Sequence, residues 1–431
     1  MRIALLNQFF PPDIAPTGRL TSDVAEHLST LGHQVTVVAG NNGYATHVDD
    51  DSPSATVDQQ STPGVVRVRS PGIFKRGILR RLTEYASYYL GATWKLMRLP
   101  KQDVVICLTT PPWLVTAALA AGRLKGSKVV LWSMDLYPEV LEAAGMIRHN
   151  GIASRFFQWI NRRIYKRLAH TICLDGAMRE LIDQRYSPSS ASLPMTVIPN
   201  WETDSRQQQP GEVLPEQLAQ LCSAPDEFTV LYLGNTGVGH EFETIIDVAE
   251  QVRDDAITFL FVGGGKRQQE LQAAVRERNL SNVHFHDYIP TAVLPTVLAA
   301  ADASLITLRA ASRGVMSPSK IYTYLAAGLP VLYVGPTETN VDEAIVEFKC
   351  GLSFRNGAVP EISRSLIELR DDQDQQRHFS TNASSAFKNA YCADKIMPQF
   401  EKLLADLQQG KDAASADHRA DGELRPTSRA A

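Results

Sequence analysis

The sequence has no apolar run approaching the ~18 residues that a membrane-spanning helix needs, so no crossing of a bilayer is expected. It also has little net charge: 43 Lys and Arg stand against 47 Asp and Glu, leaving −4. So even a balance gives no ground for general nucleic-acid binding, and any basic patch must be local. The five cysteines (Cys107, Cys173, Cys222, Cys350 and Cys392) are widely spaced, odd in number and without a Cys-x-x-Cys pair. Reduced, buried thiols in a cytosolic protein are the expectation. The apolar start Met1–Leu6 breaks at Asn7-Gln8 and again at Pro11-Pro12. That is too short for a signal h-region and reads as a first strand.

What the chain does have is rhythm. At 431 residues it is too long for one ordinary core, and two domains are expected. Short Val/Ile/Leu runs alternate with amphipathic helical stretches: Ile3–Leu6, Val35–Val38, Val65–Val68, Val104–Leu108, Val129–Trp132, Thr171–Leu174 and Thr196–Ile198. The series restarts at Phe228–Leu233 and continues through Thr258–Val262, Val283–Phe285, Ala303–Leu305 and Val331–Val334. Continuous apolar runs, rather than strict alternation, imply strands buried on both faces of a parallel sheet. The expected class is α/β, with two Rossmann-like, doubly wound domains facing across a cleft. Residues 1–199 and 227–390 would form the domains, and 200–226, rich in Gln, Pro, Ser and Asp, would link them. The polar stretches 41–63 and 408–431 are expected to be a mobile loop and a disordered tail.

In doubly wound sheets, ligands meet the loops at the carboxyl ends of strands. The first such loop leads from Asn7 through Gly18, which either admits a ligand close to the backbone or simply turns the chain. After the fifth run comes Asp135-Leu136-Tyr137-Pro138-Glu139. Either carboxylate there could orient a hydroxyl; equally, Asp135 could cap a helix and Glu139 stabilise its first turn. In the second half, Gly234-Asn235-Thr236-Gly237-Val238-Gly239-His240 opens a helix without the dinucleotide or P-loop spacing. Gly263-Gly264-Gly265 makes a second glycine turn, and both fit either a phosphate nest or plain turns. The strongest cluster is Arg309 to Tyr322. Ser317, Ser319 and Lys320 at a helix start make a diphosphate seat, with Arg309 and Arg313 able to add planar bonds. A capping serine among solvated cations is the plainer alternative.

Taken together, Asn7-Gln-Phe-Phe-Pro-Pro12, Asp135-Leu-Tyr-Pro-Glu139, Val197-Ile-Pro-Asn-Trp201, Gly234-Asn-Thr-Gly237 and Pro318-Ser-Lys-Ile-Tyr-Thr-Tyr-Leu-Ala-Ala-Gly-Leu-Pro330 resemble family-4 glycosyltransferases of the GT-B fold. The subgroup it looks most like makes bacterial surface polysaccharide and O-antigen, including N-acetylfucosamine transferase-like members. The resemblance implies an acceptor-binding first domain and a nucleotide-sugar-binding second domain. It implies a last helix, within 391–407, that returns to the first domain. It further implies transfer with retention, no metal, and no cofactor beyond the nucleotide sugar as co-substrate. Donor contacts would fall on Gly234, Asn235, Thr236, Gly237, Gly263, Tyr288, Ile289, Arg313, Ser317, Ser319, Lys320, Tyr322 and Thr323, and acceptor contacts on Gly18, Asp135 and Glu139. Lys320 would neutralise the leaving diphosphate, Asp135 or Glu139 would position the acceptor hydroxyl, and His240 would touch the transferred sugar or phosphate. Two glutamates usual in the family are replaced by Val315 and Thr323.

The implied donor is a UDP-sugar and the implied acceptor a glycan or polyprenyl-diphosphate-linked glycan. Two stretches of the first domain, 74–99 and 155–168, combine aromatic and aliphatic residues with Arg and Lys. Such helices either pack normally or rest on an anionic membrane, here the inner face of the cytoplasmic membrane. Two other functions fit the same plan: a sugar-nucleotide 2-epimerase, and a non-catalytic binding protein in polysaccharide assembly.

Overall fold

The computed structural model describes residues 1–13, 15–40, 63–69, 78–188, 192–203 and 227–410. The polar segment 41–62, linker residues 204–226 and everything beyond 410 lie outside them, as do residues 70–77, which include 74–77 of the first basic stretch.

The apolar runs form strands because they can be buried from both sides. In the first sheet these are β1 (Arg2–Leu6), β2 (Gln34–Gly40), β3 (Gly64–Val68), β4 (Val104–Leu108), β5 (Lys128–Trp132), β6 (His170–Cys173) and β7 (Met195–Val197). All pair in parallel, in the order β3-β2-β1-β4-β5-β6-β7. Every residue of the central β4 is buried, which is what helices on both faces require. The helix Pro16–Thr30 covers one face through Leu20, Val24 and Leu28, spaced four apart, and its proline stands in the first turn where no N–H is missed.

The second sheet contains β8 (Phe228–Leu233), β9 (Ile257–Val262), β10 (Val283–His286), β11 (Ala303–Thr307), β12 (Val331–Val334) and β13 (Gly351–Phe354). It too is parallel, in the order β10-β9-β8-β11-β12-β13. The order reverses between β1 and β4 and again between β8 and β11, and ligand crevices open at such points. Strand β13 was not evident in the sequence, since Gly-Leu-Ser-Phe is no apolar run. It is a half-buried edge strand whose Gly351 lies so close to the Val331 carbonyl that a Cβ would clash.

The last helix, Ala393–Gln409, belongs to the first domain's core rather than to the second. Phe400 meets the rings of Trp132 at 5.0 Å and Trp201 at 5.9 Å, and Glu401 bonds His27 at 2.6 Å. The outgoing and returning crossings are joined by a bridge between Glu202 and Cys392. Across the cleft mouth, Asp135 forms an antiparallel bridge with Met316, and the Leu136 N–H donates to the Val315 carbonyl at 3.0 Å. Val315 is buried in that seam, which an ionised glutamate could not occupy without a partner.

Candidate active site

The carboxyl ends of the two sheets face a cleft with two adjoining cavities, of about 680 and 540 Å³. Ser317, Ser319, Lys320, Thr323 and Asp135 line both. The helix Lys320–Ala327 begins there, and Ser319 precedes it without a side-chain capping bond. Its hydroxyl is therefore not committed to the helix's own N–H groups, and the positive end of the helix points at the cleft.

Lys320 runs beneath Gly234, whose missing Cβ would sit 3.4 Å from the lysine Cε. Its ammonium lies 3.8 Å from the centre of the Tyr232 ring and donates to the Tyr232 hydroxyl at 2.6 Å. That hydroxyl in turn donates to the Asn235 carbonyl at 2.9 Å. Without a carboxylate beside it, burial pushes the ammonium down to about 7. An incoming anion would reverse that penalty. The second glycine turn supports the first: Gly263, at φ 133°, packs against the Gly234 carbonyl where any Cβ would collide.

His240 donates from Nδ1 to the Thr307 carbonyl at 2.6 Å, so Nε2 is left as an acceptor. Burial, aided by the Lys320 charge, lowers its protonation to about 3. A neutral ring with a free lone pair suits a sugar hydroxyl and is a poor partner for phosphate. Across the cleft, the Thr109 hydroxyl accepts from the Met134 and Asp135 N–H groups at 3.2 and 3.3 Å and fixes the Asp135 loop. Asp135 caps no helix, since Pro138 holds that place, and burial lifts its carboxyl to about 6. Asn235, Gly237, Tyr288 and Ile289 line the larger cavity with His240.

Several residues expected at the site are placed elsewhere. Glu139 is buried with its carboxylate on Arg185, at 3.0 Å, and on the Tyr186 hydroxyl, so it holds the first domain together instead of facing the cleft. Arg313 is occupied by Glu180 at 2.9 Å and Glu338 at 2.7 Å, bridging the two domains. Arg309 reaches the His240 carbonyl at 3.0 Å. Tyr322 is turned into the core against Tyr391, and Thr236 is buried holding the Gly264 carbonyl. Gly18 lets the Phe9–Phe10 backbone pack on its helix, and neither cavity includes it. Conversely, the smaller cavity includes Arg19 and Glu202, and the larger includes Lys266, none of which the loop positions had singled out as site residues. Helix periodicity hides Arg19, and Glu202 sits in a polar linker.

Residues 17–201 match the glycosyl transferase 4-like domain, and residues 227–372 match glycosyl transferases group 1. The chain belongs to the group 1 glycosyltransferases. This glycosyltransferase is 22% identical to the colanic acid biosynthesis glycosyl transferase WcaI of Escherichia coli, over 76% of its own length and 82% of that protein. It is 24% identical to the glycosyltransferase WbjE of Pseudomonas aeruginosa, over 68% and 72% of the two chains. Among solved structures, HepE of Anabaena in complex with UDP and glucose superposes with a TM-score of 0.66 at 15% identity, covering 94% of the glycosyltransferase and all of HepE. The fold of the glycosyltransferase is accordingly GT-B, two Rossmann-like domains across a cleft.

Proposed function

We propose that the protein moves a sugar, with retention, from a UDP-sugar to a glycan or polyprenyl-diphosphate-linked acceptor in cell-surface polysaccharide assembly. The observation that carries this reading is Lys320, buried without a carboxylate partner at the start of a helix and facing Asp135's loop across the cleft. The name of WcaI supports the polysaccharide setting, that of WbjE supports glycosyl transfer, and HepE's complex with UDP supports the donor.

In the reaction, the bond from the anomeric carbon to the diphosphate breaks and a bond to the acceptor oxygen forms. Positive charge grows on the sugar and negative charge on the departing diphosphate, which Lys320 and the Ser319 end of the helix stabilise. Asp135 accepts from the acceptor hydroxyl and aims it. Retention keeps acceptor and leaving group on one face, so the departing phosphate oxygen takes the acceptor proton. A thermal-shift screen tests the donor: UDP-sugars should raise the unfolding temperature by binding the folded state. No shift with any nucleotide sugar would overturn the proposal, and the anomeric configuration of the product checks retention.

The helix Ile152–Tyr165 supports a lipid-borne acceptor because its faces are inverted until the last turn, where Ile164 and Tyr165 are buried. Ser154, Gln158 and Asn161 are buried, whereas Ile152 is 92% exposed, Phe156 56% and Trp159 48%. Arg163 lies over the Trp159 ring at 3.6 Å, and Arg155 and Arg162 are exposed beside it. An apolar ridge fringed by arginines fits an anionic lipid surface. Among the described residues no helix is long and apolar enough to cross a membrane. The expected result is flotation with phosphatidylglycerol vesicles that weakens with salt, and its loss in a Phe156→Ser, Trp159→Ser double variant. Equal flotation of that variant would remove the ridge from the proposal.

A further inference from the structure

The smaller cavity carries a carboxylate that belongs to neither sheet. We propose that Glu202, in the chain crossing between the domains, accepts a hydrogen bond from a ribose hydroxyl of the donor nucleotide. The assignment rests on the nucleotide-sugar reading above and names a residue that the donor domain itself does not supply.

Three observations place it. First, the side chain is fixed from both domains: Oε2 accepts from the Thr323 hydroxyl at 2.9 Å, while Oε1 accepts from the Thr203 N–H at 3.0 Å and pairs with Arg19. Its backbone is fixed as well, since the Glu202 N–H donates to the Tyr391 carbonyl at 3.4 Å and the adjacent Trp201 ring is buried, donating to Asp23 at 2.8 Å. Second, 21% of the side chain still meets the cavity that Ser319 and Lys320 line. Third, Glu202 lines only the smaller cavity and His240 and Gly237 only the larger, while Thr291, Leu294 and Thr323 line both and join them.

The chemistry then narrows the ligand. A carboxylate beside a diphosphate seat repels phosphate, so the group it takes must be a neutral donor. Ionised, it accepts through two oxygens with roughly four lone-pair sites; Thr203 and Arg19 take those of Oε1 and Thr323 one of Oε2, so Oε2 can still accept from one ribose hydroxyl. A nucleotide sugar runs base, ribose, diphosphate, sugar. With the diphosphate at Ser319 and Lys320, which line both cavities, and the sugar toward His240 in the larger, the hydroxyl on the Glu202 side is the ribose's. Thr323 alone offers a neutral hydroxyl there; through its bond to Glu202 the helix gains a charged acceptor from the linker.

Calorimetry with UDP, GDP and ADP on the full chain identifies the diphosphate that binds most tightly, and that one is carried forward. Glu202→Gln should weaken it by about tenfold or more, the scale of a hydrogen bond to a charged group. The 2′,3′-dideoxy form of the same nucleotide should bind wild type as weakly, with no further loss in E202Q, because both changes remove one interaction. Adding Thr323→Glu to E202Q moves a carboxylate onto the helix and should restore part of the affinity. Unfolding midpoints of each variant check that it is folded. Unchanged nucleotide affinity in E202Q, or an equal loss for the ordinary and dideoxy forms, overturns the assignment alone. No binding of any diphosphate by wild type overturns the donor reading and this assignment with it.

Discussion

Lys320→Met should lower turnover by about 100-fold, the usual cost of one lost contact to a charge that develops in the transition state. Methionine keeps the length and apolar stem of lysine, so the packing beneath Gly234 survives and only the charge goes. The pH dependence of donor affinity supplies a second readout. Burial holds the free ammonium at about 7, and a bound diphosphate must raise that value. The sign follows: below pH 7 the site is already charged and affinity is flat. Above it, the protonated fraction of the free protein falls tenfold per unit, and affinity falls with it until the raised value of the complex is reached. UDP binding measured between pH 6 and 9 should therefore take up close to one proton near pH 8, and Lys320→Met should take up none. Normal turnover in the variant would move the leaving-group charge to another cation, with Lys266 on the same cavity the next to test.

How far the sequence carries this picture depends on whether a residue's role is local. Continuous apolar runs such as Val104–Leu108 declare a doubly covered parallel strand by themselves, and the restart of the rhythm at Phe228 declares the second domain. Gly234, Ser319 and Lys320 were legible because a strand end, a glycine and a helix start follow one another in the chain. Partners brought from afar were not. Nothing near Glu139 in sequence announces Arg185 and Tyr186, which hold it away from the cleft, and nothing near Arg313 announces Glu180. The Thr323–Glu202 bond spans 121 residues. Reading Thr323 as a neutral substitution is correct for the helix and incomplete for the cavity, because the linker delivers a carboxylate to the same spot.

Asp135→Asn should cut turnover by about 100-fold or more while leaving donor affinity nearly unchanged, because the residue faces the acceptor and carries no partner for the diphosphate. Burial raises its carboxyl to about 6, and asparagine keeps the shape without the cost of a buried charge. The variant should consequently be at least as resistant to heat as wild type, and a loss of activity through misfolding would be visible as a lowered midpoint. The ionised form is the one that accepts from the acceptor hydroxyl, so activity is present above pH 6 and is lost as the pH falls through that value. Lys320 acts in the opposite sense and sets the decline above pH 7. Wild-type activity at sub-saturating donor should thus form a bell with limbs near 6 and 7, apparent values belonging to the site as a whole. Each variant should remove one limb: Asp135→Asn the acid one, Lys320→Met the alkaline one. If both limbs persisted in the residual activity of both variants, the two groups would not be the ones that titrate, and neither role assigned here would stand.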